Sequence, residues 1–222
     1  FYNVAPENKL RVIAPDVGGG FGSKIYIYPE EIVCLWASKK SGVPVKWVSD
    51  RTEAFLTDAH GRDHVTHVEM AFDKGNNIVG LKVDTIANLG AYMSLFSSAT
   101  PTYLYATLLS GQYNIPAIHA NVRTVYTNTA PVDAYRGAGR PEATFVMERT
   151  METAARELGV SPTELRRQNF VKSFPHQTPV IMCYDAGDFS ASLDAAMKAA
   201  DYAGFEKRRA KAAKAGKLRG IG

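Results

Sequence analysis

The chain has 222 residues, of which 45% are hydrophobic and 22% charged, and it carries a formal net charge of +4. This length suits one large domain or two small ones, and the apolar content is sufficient for a sizeable core. No run of about 18 apolar residues occurs, so a membrane-spanning helix is excluded. The two cysteines, Cys34 and Cys183, form no zinc, iron–sulfur or disulfide-framework spacing. We therefore expect a globular protein of a reducing compartment, with a cytoplasmic location and a buried thiol at Cys34.

The positive charge is concentrated at the C-terminal end. After Gly204 the sequence has seven basic residues and one acidic residue. A nucleic-acid-binding surface usually combines such cations with aromatic side chains, whereas alanines separate them here. Cations also stabilise the C-terminal end of a helix through its dipole. We therefore predict a helical, basic end over residues 189–222 and no nucleic-acid partner.

The first half of the chain predicts one helix and several strands. The apolar residues of Glu30–Ser41 follow a helical period, and Gly42 supplies a C-terminal cap. The β-branched composition of Val43–Val48 favours a strand. Apolar and polar residues alternate in His64–Phe72, and the turn sequence KGNN connects this segment to Ile78–Ala87. That combination is typical of a β-hairpin.

The second half predicts one strand, His119–Tyr126, followed mainly by helices. Glu142–Leu158 has a broad apolar stripe at helical spacing. Ser161 is the expected N-cap of the next helix, with Glu164 completing a capping box. A third helix is predicted over Ser190–Ala213. Because strands and helices occur in clusters rather than in strict alternation, we predict an α+β fold, with mixed or antiparallel strands and packed helices in one domain.

Residues 17–24, VGGGFGSK, form a glycine-rich loop. Glycines allow positive φ and close approach of a ligand, and successive N–H groups can converge on an anion. The Walker A spacing fails, because Lys24 follows Ser23 and is followed by Ile25. The GxGxxG spacing also fails, because Ser23 and Ile25 stand where glycine is required. Taken alone, the loop is equally compatible with an anion site and with a tight structural turn.

A second loop lies at residues 134–143, AYRGAGRPEA. Arg136 and Arg140 flank three small residues, and Glu142 opens the following helix. Guanidinium groups bind anionic oxygens through two parallel hydrogen bonds, and a helix N-terminus favours negative charge. The loop therefore suits an anion site, but arginines paired with carboxylates at a loop–helix junction would have the same sequence.

Together and in this order, VGGGFGSK and AYRGAGRPEA resemble the large, molybdenum-binding subunit of the xanthine oxidase family. Within that family the chain resembles the form II carbon monoxide dehydrogenase-like group. The similarity extends from about Lys9 to Asn169 and includes the segments DKGNNIVGLK and NLGAY. It implies a molybdenum-dependent hydroxylase or dehydrogenase that oxidises an aldehyde or an N-heterocycle with oxygen derived from water.

The resemblance also implies roles for individual residues. The first loop would lie against the molybdenum centre, with backbone N–H groups near Phe21 bonding its oxo ligand. Arg136 would lie beside the pterin, and Arg62, in the segment HGR, would contact substrate. No side chain of this chain is expected to ligate the metal. The cofactor-binding residues implied are Gly19, Gly20, Phe21, Gly22, Arg136, Gly137 and Ala138.

The family's catalytic glutamate belongs to a GEGG-like motif that this sequence does not contain, so no catalytic residue is identified. The chain starts with Phe1 rather than Met and ends where a new apolar pattern begins. We therefore expect residues 1–222 to be an internal fragment, the first cofactor-binding half of a molybdopterin-binding domain, inactive alone. The resemblance implies molybdopterin in its cytosine dinucleotide form with molybdenum, iron–sulfur and FAD-binding partner subunits, a small-molecule substrate, and a dimer of heterotrimers.

Two departures from the family narrow the substrate. True carbon monoxide dehydrogenases have AYRCSFR in the second loop, with a cysteine that holds copper, and Gly137 occupies that position here. Xanthine-specific members have a glutamate at the position of Ile25 and a substrate-stacking phenylalanine at that of Ala138. These differences argue against a copper–molybdenum pair, carbon monoxide oxidation and purine oxidation.

The remaining titratable residues give no catalytic constellation. His60, His64 and His67 are close in sequence, but His64 and His67 point to opposite faces of a strand, so we predict no metal site there. The alternative to an enzyme is a non-catalytic scaffold or interaction domain that keeps the two loops for packing. A nucleotide-binding module is disfavoured by the failed spacings of the first loop.

Overall fold

The computed structural model describes residues 5–222; residues 1–4, where the predicted domain begins, lie outside the described residues. The α-helices are α1 (Pro29–Ser41), α2 (Arg51–Thr57), α3 (Arg140–Leu158), α4 (Pro162–Asn169), α5 (Phe189–Ala199) and α6 (Phe205–Lys214). The β-strands are β1 (His64–Phe72), β2 (Ile78–Gly90), β3 (Ile118–Tyr126), β4 (His176–Gln177) and β5 (Cys183–Tyr184). Strands β1, β2 and β3 form one sheet, and β4 pairs with β5. The predicted α+β class is confirmed.

The three-stranded sheet combines antiparallel and parallel pairing. Strands β1 and β2 form the predicted antiparallel hairpin, with His64 opposite Ala87. Strand β3 pairs parallel with β2, so β3 ends beside the end of β2 and the start of β1. The segment after β3 therefore enters the same end of the sheet as the segment before β1. His60 and Val132 form a parallel bridge there.

The core lies between the inner face of this sheet and helix α3. Val83 of β2, Met151 of α3 and Tyr105, from the connection between β2 and β3, have no exposed surface. The other buried members of this cluster are Ile78, Leu81, Leu109, Tyr113, Ile115, Ala143, Val146, Met147, Ala155, Leu165 and Phe170. Burial of these side chains is the main favourable contribution to folding. It also fixes the start of α3, where the second loop ends.

Several local predictions are confirmed. Glu30–Ser41 lies within α1, and Gly42 ends that helix in a left-handed conformation with φ of 72°. His119–Tyr126 lies within β3, and Glu142–Leu158 lies within α3. No helix in the range 5–222 is long and apolar enough to cross a membrane.

The predicted strand at Val43–Val48 is wrong. No strand of the described chain pairs with this segment, and Val43, Val45 and Val48 are 56%, 41% and 70% exposed. A β-branched composition shows only that a segment fits a pleated, half-buried surface. A strand also requires a partner for its backbone groups. Cys34, predicted to be buried, is only half-buried, and both cysteines are free thiols.

Two predictions about the C-terminal helices are also wrong. The segment Ser190–Ala213 is not one helix, because Asp201 takes a left-handed conformation with φ of 45° and separates α5 from α6. Ser161 is the N-cap of α4, but its side chain caps no backbone N–H. Its hydroxyl instead lies 2.9 Å from the hydroxyl of Thr163. The expected capping box with Glu164 therefore does not form.

Candidate functional site

The two glycine-containing loops are in direct contact, although more than a hundred residues separate them in sequence. The backbone N–H of Arg136 donates to the carbonyl of Phe21 at 2.8 Å. Gly22 has φ of 100°, and a Cβ at this position would overlap the carbonyl oxygen of Ala134. The hydroxyl of Tyr26 donates to that same carbonyl at 2.6 Å. The first loop therefore needs glycine at residue 22 both for its conformation and for this close approach.

The segment that precedes the second loop is fixed by the buried carboxylate of Asp133, which is 1% exposed. This carboxylate accepts hydrogen bonds from the N–H of Phe96 at 2.9 Å and from the hydroxyl of Ser97 at 3.4 Å. The N–H of Asp133 donates to the carbonyl of His60 at 2.7 Å, and the N–H of His60 donates to Pro131 at 2.8 Å. Residues 131–133 are thus hydrogen-bonded both to His60 and to residues 96–97 before the second loop begins.

The second loop turns into α3 through three consecutive left-handed residues. Gly137, Ala138 and Gly139 have φ values of 98°, 39° and 89°. A Cβ at Gly139 would lie 2.6 Å from the carbonyl carbon of Leu104, so a larger residue does not fit there. The N–H of Ala138 donates to the carbonyl of Tyr135 at 2.7 Å and closes the turn. Left-handed backbone is unfavourable for alanine, so contacts around Ala138 must hold this conformation.

The surface formed by both loops is rich in hydrogen-bond donors. Within the described chain, the N–H groups of Gly19, Gly20, Phe21 and Gly22 donate to no protein acceptor. The guanidinium of Arg136 lies over the ring of Phe21, 5.7 Å from its centroid, and makes no hydrogen bond or ion pair with another described residue. Free N–H groups beside a free guanidinium suit an oxygen-rich, anionic ligand. The donor set therefore fits a phosphate-bearing pterin cofactor.

Arg62, the predicted substrate contact, faces the second loop. Its Nη2 atom donates to the carbonyl of Arg136 and lies 3.4 Å from that of Tyr135. Its guanidinium lies 5.3 Å from the centroid of the Tyr135 ring. Its Nε atom is 3.7 Å from a carboxylate oxygen of Glu142, whose side chain is 8% exposed. The structure therefore brings Arg62 together with the cofactor-binding candidates of the second loop.

The sequence did not indicate that Tyr26 binds the second loop or that Asp133 fixes the segment before it. Burial, and then the charge of Asp133, raise the pKa of Tyr26 well above its ordinary value. The phenol therefore stays protonated and can donate to Ala134 at neutral pH. No local motif distinguishes these two residues. The only available signal was that Tyr26 closely follows the first loop and Asp133 closely precedes the second.

Among the described residues, His60, His64 and His67 are not grouped as metal ligands would be. His64 faces the core side of β1, where its ring lies 5.1 Å from that of Tyr105, and His67 is exposed on the opposite face. The ring of His60 instead lies 3.0 Å from the carbonyl of Phe55. Over residues 5–222, no group of three or more His, Cys, Asp or Glu side chains is placed to hold a metal ion.

Comparison with known proteins identifies the family of this chain. Residues 3–170 match the family model described as a molybdopterin cofactor-binding domain. The chain is 39% identical over 212 residues to the carbon monoxide dehydrogenase large chain of Hydrogenophaga pseudoflava, covering 92% of this chain and 26% of that protein. It is 37% identical over 218 residues to the nicotine 6-hydroxylase large subunit of Paenarthrobacter nicotinovorans, covering 97% of this chain and 27% of that protein.

A solved structure gives the same result for the fold. The quinoline 2-oxidoreductase of Pseudomonas putida 86 superimposes with a TM-score of 0.85 at 32% identity, covering 91% of this chain and 26% of that one. The chain thus spans about a quarter of the length of each of these relatives. The α+β fold of this chain therefore matches that of a solved structure over most of its length.

Proposed function

The chain belongs to the molybdopterin cofactor-binding domain family, and from this premise we propose that it is the cofactor-binding part of a molybdenum-dependent hydroxylase. The proposed reaction is the oxidation of an aldehyde or an N-heterocycle with oxygen derived from water. One observation carries the proposal: the two loops meet at Phe21 and Arg136, where one loop contributes the unpaired N–H groups of residues 19–22 and the other the unpaired guanidinium of Arg136.

In this proposal each loop has a separate task. The N–H groups of Gly19, Gly20, Phe21 and Gly22 would donate to anionic oxygens of the cofactor. The guanidinium of Arg136, with the small residues Gly137 and Ala138 beside it, would bind the pterin. When bound, a molybdenum–pterin group supplies the two-electron oxidation. The chain contributes fixed donors that orient the group and favour its negative charge.

The substrate class is proposed from the second loop and from the relatives. Gly137 offers no thiolate for copper, so carbon monoxide is not the proposed substrate. Ile25 and Ala138 lack the groups that purine-specific members use. Two relatives are named for their action on nicotine and quinoline, which are N-heterocycles. These names support the N-heterocycle side of the proposal.

The proposal includes partners, because relatives are named as large chains or as a subunit of a complex. We propose an iron–sulfur subunit and an FAD-binding subunit as electron acceptors, in a cytoplasmic dimer of heterotrimers. The pterin is proposed to be the cytosine dinucleotide form. Residues 1–222 would form the first cofactor-binding half of the domain. The chain alone is expected to be inactive, since it lacks the family's glutamate motif.

The decisive experiment is the metal and pterin content of the native protein, purified with its partner subunits. Near-stoichiometric molybdenum and pterin without copper is the expected result. Molybdenum with copper would return carbon monoxide to the possible substrates despite Gly137. A well-folded complex with neither molybdenum nor pterin would contradict the proposal, and the loops would then serve only as a scaffold.

The role of Arg136 is tested by replacing it. In the native protein, Arg136→Ala is expected to weaken cofactor retention about ten- to a hundredfold, since it removes a charge-assisted hydrogen bond. Arg123→Ala is the matched control, because Arg123 lies on the outward face of β3. Pterin content after gel filtration is the measurement. Equal pterin content in the two variants would remove Arg136 from the proposed site.

A further inference from the structure

Arg62 is the residue predicted to contact substrate, but its guanidinium is directed at the protein backbone. Resting on the proposed function, we propose that Arg62 is a positioning residue that holds the second loop in its cofactor-binding conformation, and that Glu142 orients Arg62. The pair would act on the cofactor through the loop rather than by touching substrate. The argument uses the contacts of Arg62, the burial of Glu142 and the backbone of the loop.

The contacts of Arg62 fall on two successive peptide groups. Nη2 donates to the carbonyl of Arg136 and reaches that of Tyr135 at 3.4 Å. The same guanidinium covers the Tyr135 ring at 5.3 Å, so both the backbone and a side chain of the loop are held. These carbonyls belong to the turn that aims the Arg136 side chain. A planar guanidinium can make such contacts together, whereas a lysine ammonium cannot reproduce them.

Glu142 connects Arg62 to the packed core. It lies in the first turn of α3, and its neighbour Ala143 is 1% exposed. The side chain of Glu142 is 8% exposed, and its Oε2 atom lies 3.7 Å from Nε of Arg62. Within the described chain, neither atom has a hydrogen-bond partner. A buried carboxylate without hydrogen bonds at that oxygen is costly, and the nearby guanidinium is the cation that offsets this cost.

The loop needs such support because of its backbone. Ala138 has φ of 39°, between Gly137 at 98° and Gly139 at 89°. A non-glycine residue keeps a left-handed conformation only where the surroundings impose it. On the core side Gly139 is pressed against Leu104. On the other side Arg62 binds the carbonyls just before the turn, so the left-handed residues lie between two fixed points.

The test uses the native protein with its partner subunits and the variants Arg62→Ala, Arg62→Lys and Glu142→Gln. Arg149→Ala is the matched control: Arg149 lines the same cleft of about 750 Å³ between β1 and α3 as Arg62 and Glu142. The measurements are molybdenum and pterin content after gel filtration, and the electron paramagnetic resonance spectrum of dithionite-reduced molybdenum. Thermal unfolding of each complex identifies variants that fail to fold.

We expect Arg62→Ala to lower cofactor retention at least about tenfold, because it leaves the loop carbonyls without a charged donor. Arg62→Lys should recover part of this loss, and Glu142→Gln should cause a smaller loss with an altered resonance spectrum. Combining Arg62→Ala with Glu142→Gln should add little to Arg62→Ala alone, because Glu142 acts through Arg62. Arg149→Ala should match the unaltered protein.

Wild-type cofactor content and spectrum in Arg62→Ala would overturn the inference. So would fully additive losses from the Arg62 and Glu142 changes. If Arg62→Ala does not fold, Arg62→Lys and Glu142→Gln still carry the test. Absence of molybdenum from the unaltered protein would instead defeat the proposed function itself, so the two failures are distinguishable.

Discussion

The regions before and after residue 60 differ sharply in packing. Among described residues 5–60, Tyr26 is the only buried residue, and α1 and α2 contribute none. In the later region, β2 and α3 each contribute several buried side chains to one core. The first loop belongs to the exposed region and the second loop to the packed one. The candidate site is therefore formed where a fixed structure meets a segment with almost no core of its own.

This contrast shows how the first loop is held. With so little apolar burial, its position depends on a few hydrogen bonds to the segment before α3. These are the contacts from Arg136 to Phe21 at 2.8 Å and from Tyr26 to Ala134 at 2.6 Å. The close backbone approach at Gly22 adds to them. A change at this boundary should therefore disturb the site more than a change on the exposed helices.

The largest effect is expected for Gly22→Ala. The substitution places a Cβ against the carbonyl of Ala134 at a φ of 100°. Left-handed backbone costs about 1–2 kcal/mol and overpacking about 1–3 kcal/mol, so docking of the loop should weaken by about 2–5 kcal/mol. Amide hydrogen exchange at Arg136, whose N–H donates to Phe21, measures this loss.

Gly18→Ala is the matched control for that experiment. A Cβ at Gly18 would meet no atom within 4 Å, and its φ lies outside the left-handed region. Exchange at Arg136 should remain unchanged in this variant. Equal effects of the two substitutions would mean that the close approach of Gly22 to the carbonyl of Ala134 does not hold the first loop in place.

The next largest effect is expected on the free energy of unfolding, when a valine is replaced by alanine in each of the two regions. Val83 has no exposed surface, whereas Val33 in α1 is 57% exposed. Val83→Ala should lower the free energy of unfolding by about 2–3 kcal/mol, from lost burial and the cavity left behind. Val33→Ala should change it by less than about 0.5 kcal/mol. Urea denaturation measures both, and a large loss at Val33 would contradict the contrast between the regions.

Local sequence signals predicted the elements whose cause is local. The hairpin of β1 and β2 follows from alternation and from Asp73, whose carboxylate accepts from the N–H groups of Gly75 and Asn77 at 2.8 and 2.9 Å. The parallel pairing of β3 was not predicted, because no local pattern specifies a partner strand. Val43–Val48 failed for the same reason, since its composition fits a strand that has nothing to pair with.

The site divides in the same way. The glycine-rich composition and the order of the two motifs in the sequence predicted both loops as site segments, but not their contact. The contact of Arg62 with the carbonyl of Arg136 joins residues that are 74 positions apart. The sequence therefore did not predict it, and the resemblance implied only a substrate contact for this arginine. Tyr26 and Asp133 have no motif, because their importance arises only from burial beside the loops.

The smallest expected effect is on the pH dependence of stability. It tests whether the packed region includes His64, at the start of β1. Burial lowers the pKa of His64 below its ordinary value of 6.5, and the charges of Glu142 and Asp63 only partly oppose this shift. Between the lowered pKa and 6.5, the unfolded chain binds more protons than the folded one. Stability from this residue is therefore complete above pH 6.5 and decreases as the pH falls toward the lowered value, by at most about 1.4 kcal/mol per pH unit.

His64→Gln should remove this part of the pH dependence, while His67→Gln, on the exposed face of the same strand, should leave it in place. Urea denaturation of both variants at pH values above and below 6.5 gives the comparison. His64 is two residues from Arg62, so a loss of the slope in His64→Gln alone would show that the packed region extends to the base of the candidate site. Equal slopes in the two variants would mean that water reaches His64 in the folded protein and that His64 does not belong to the packed region.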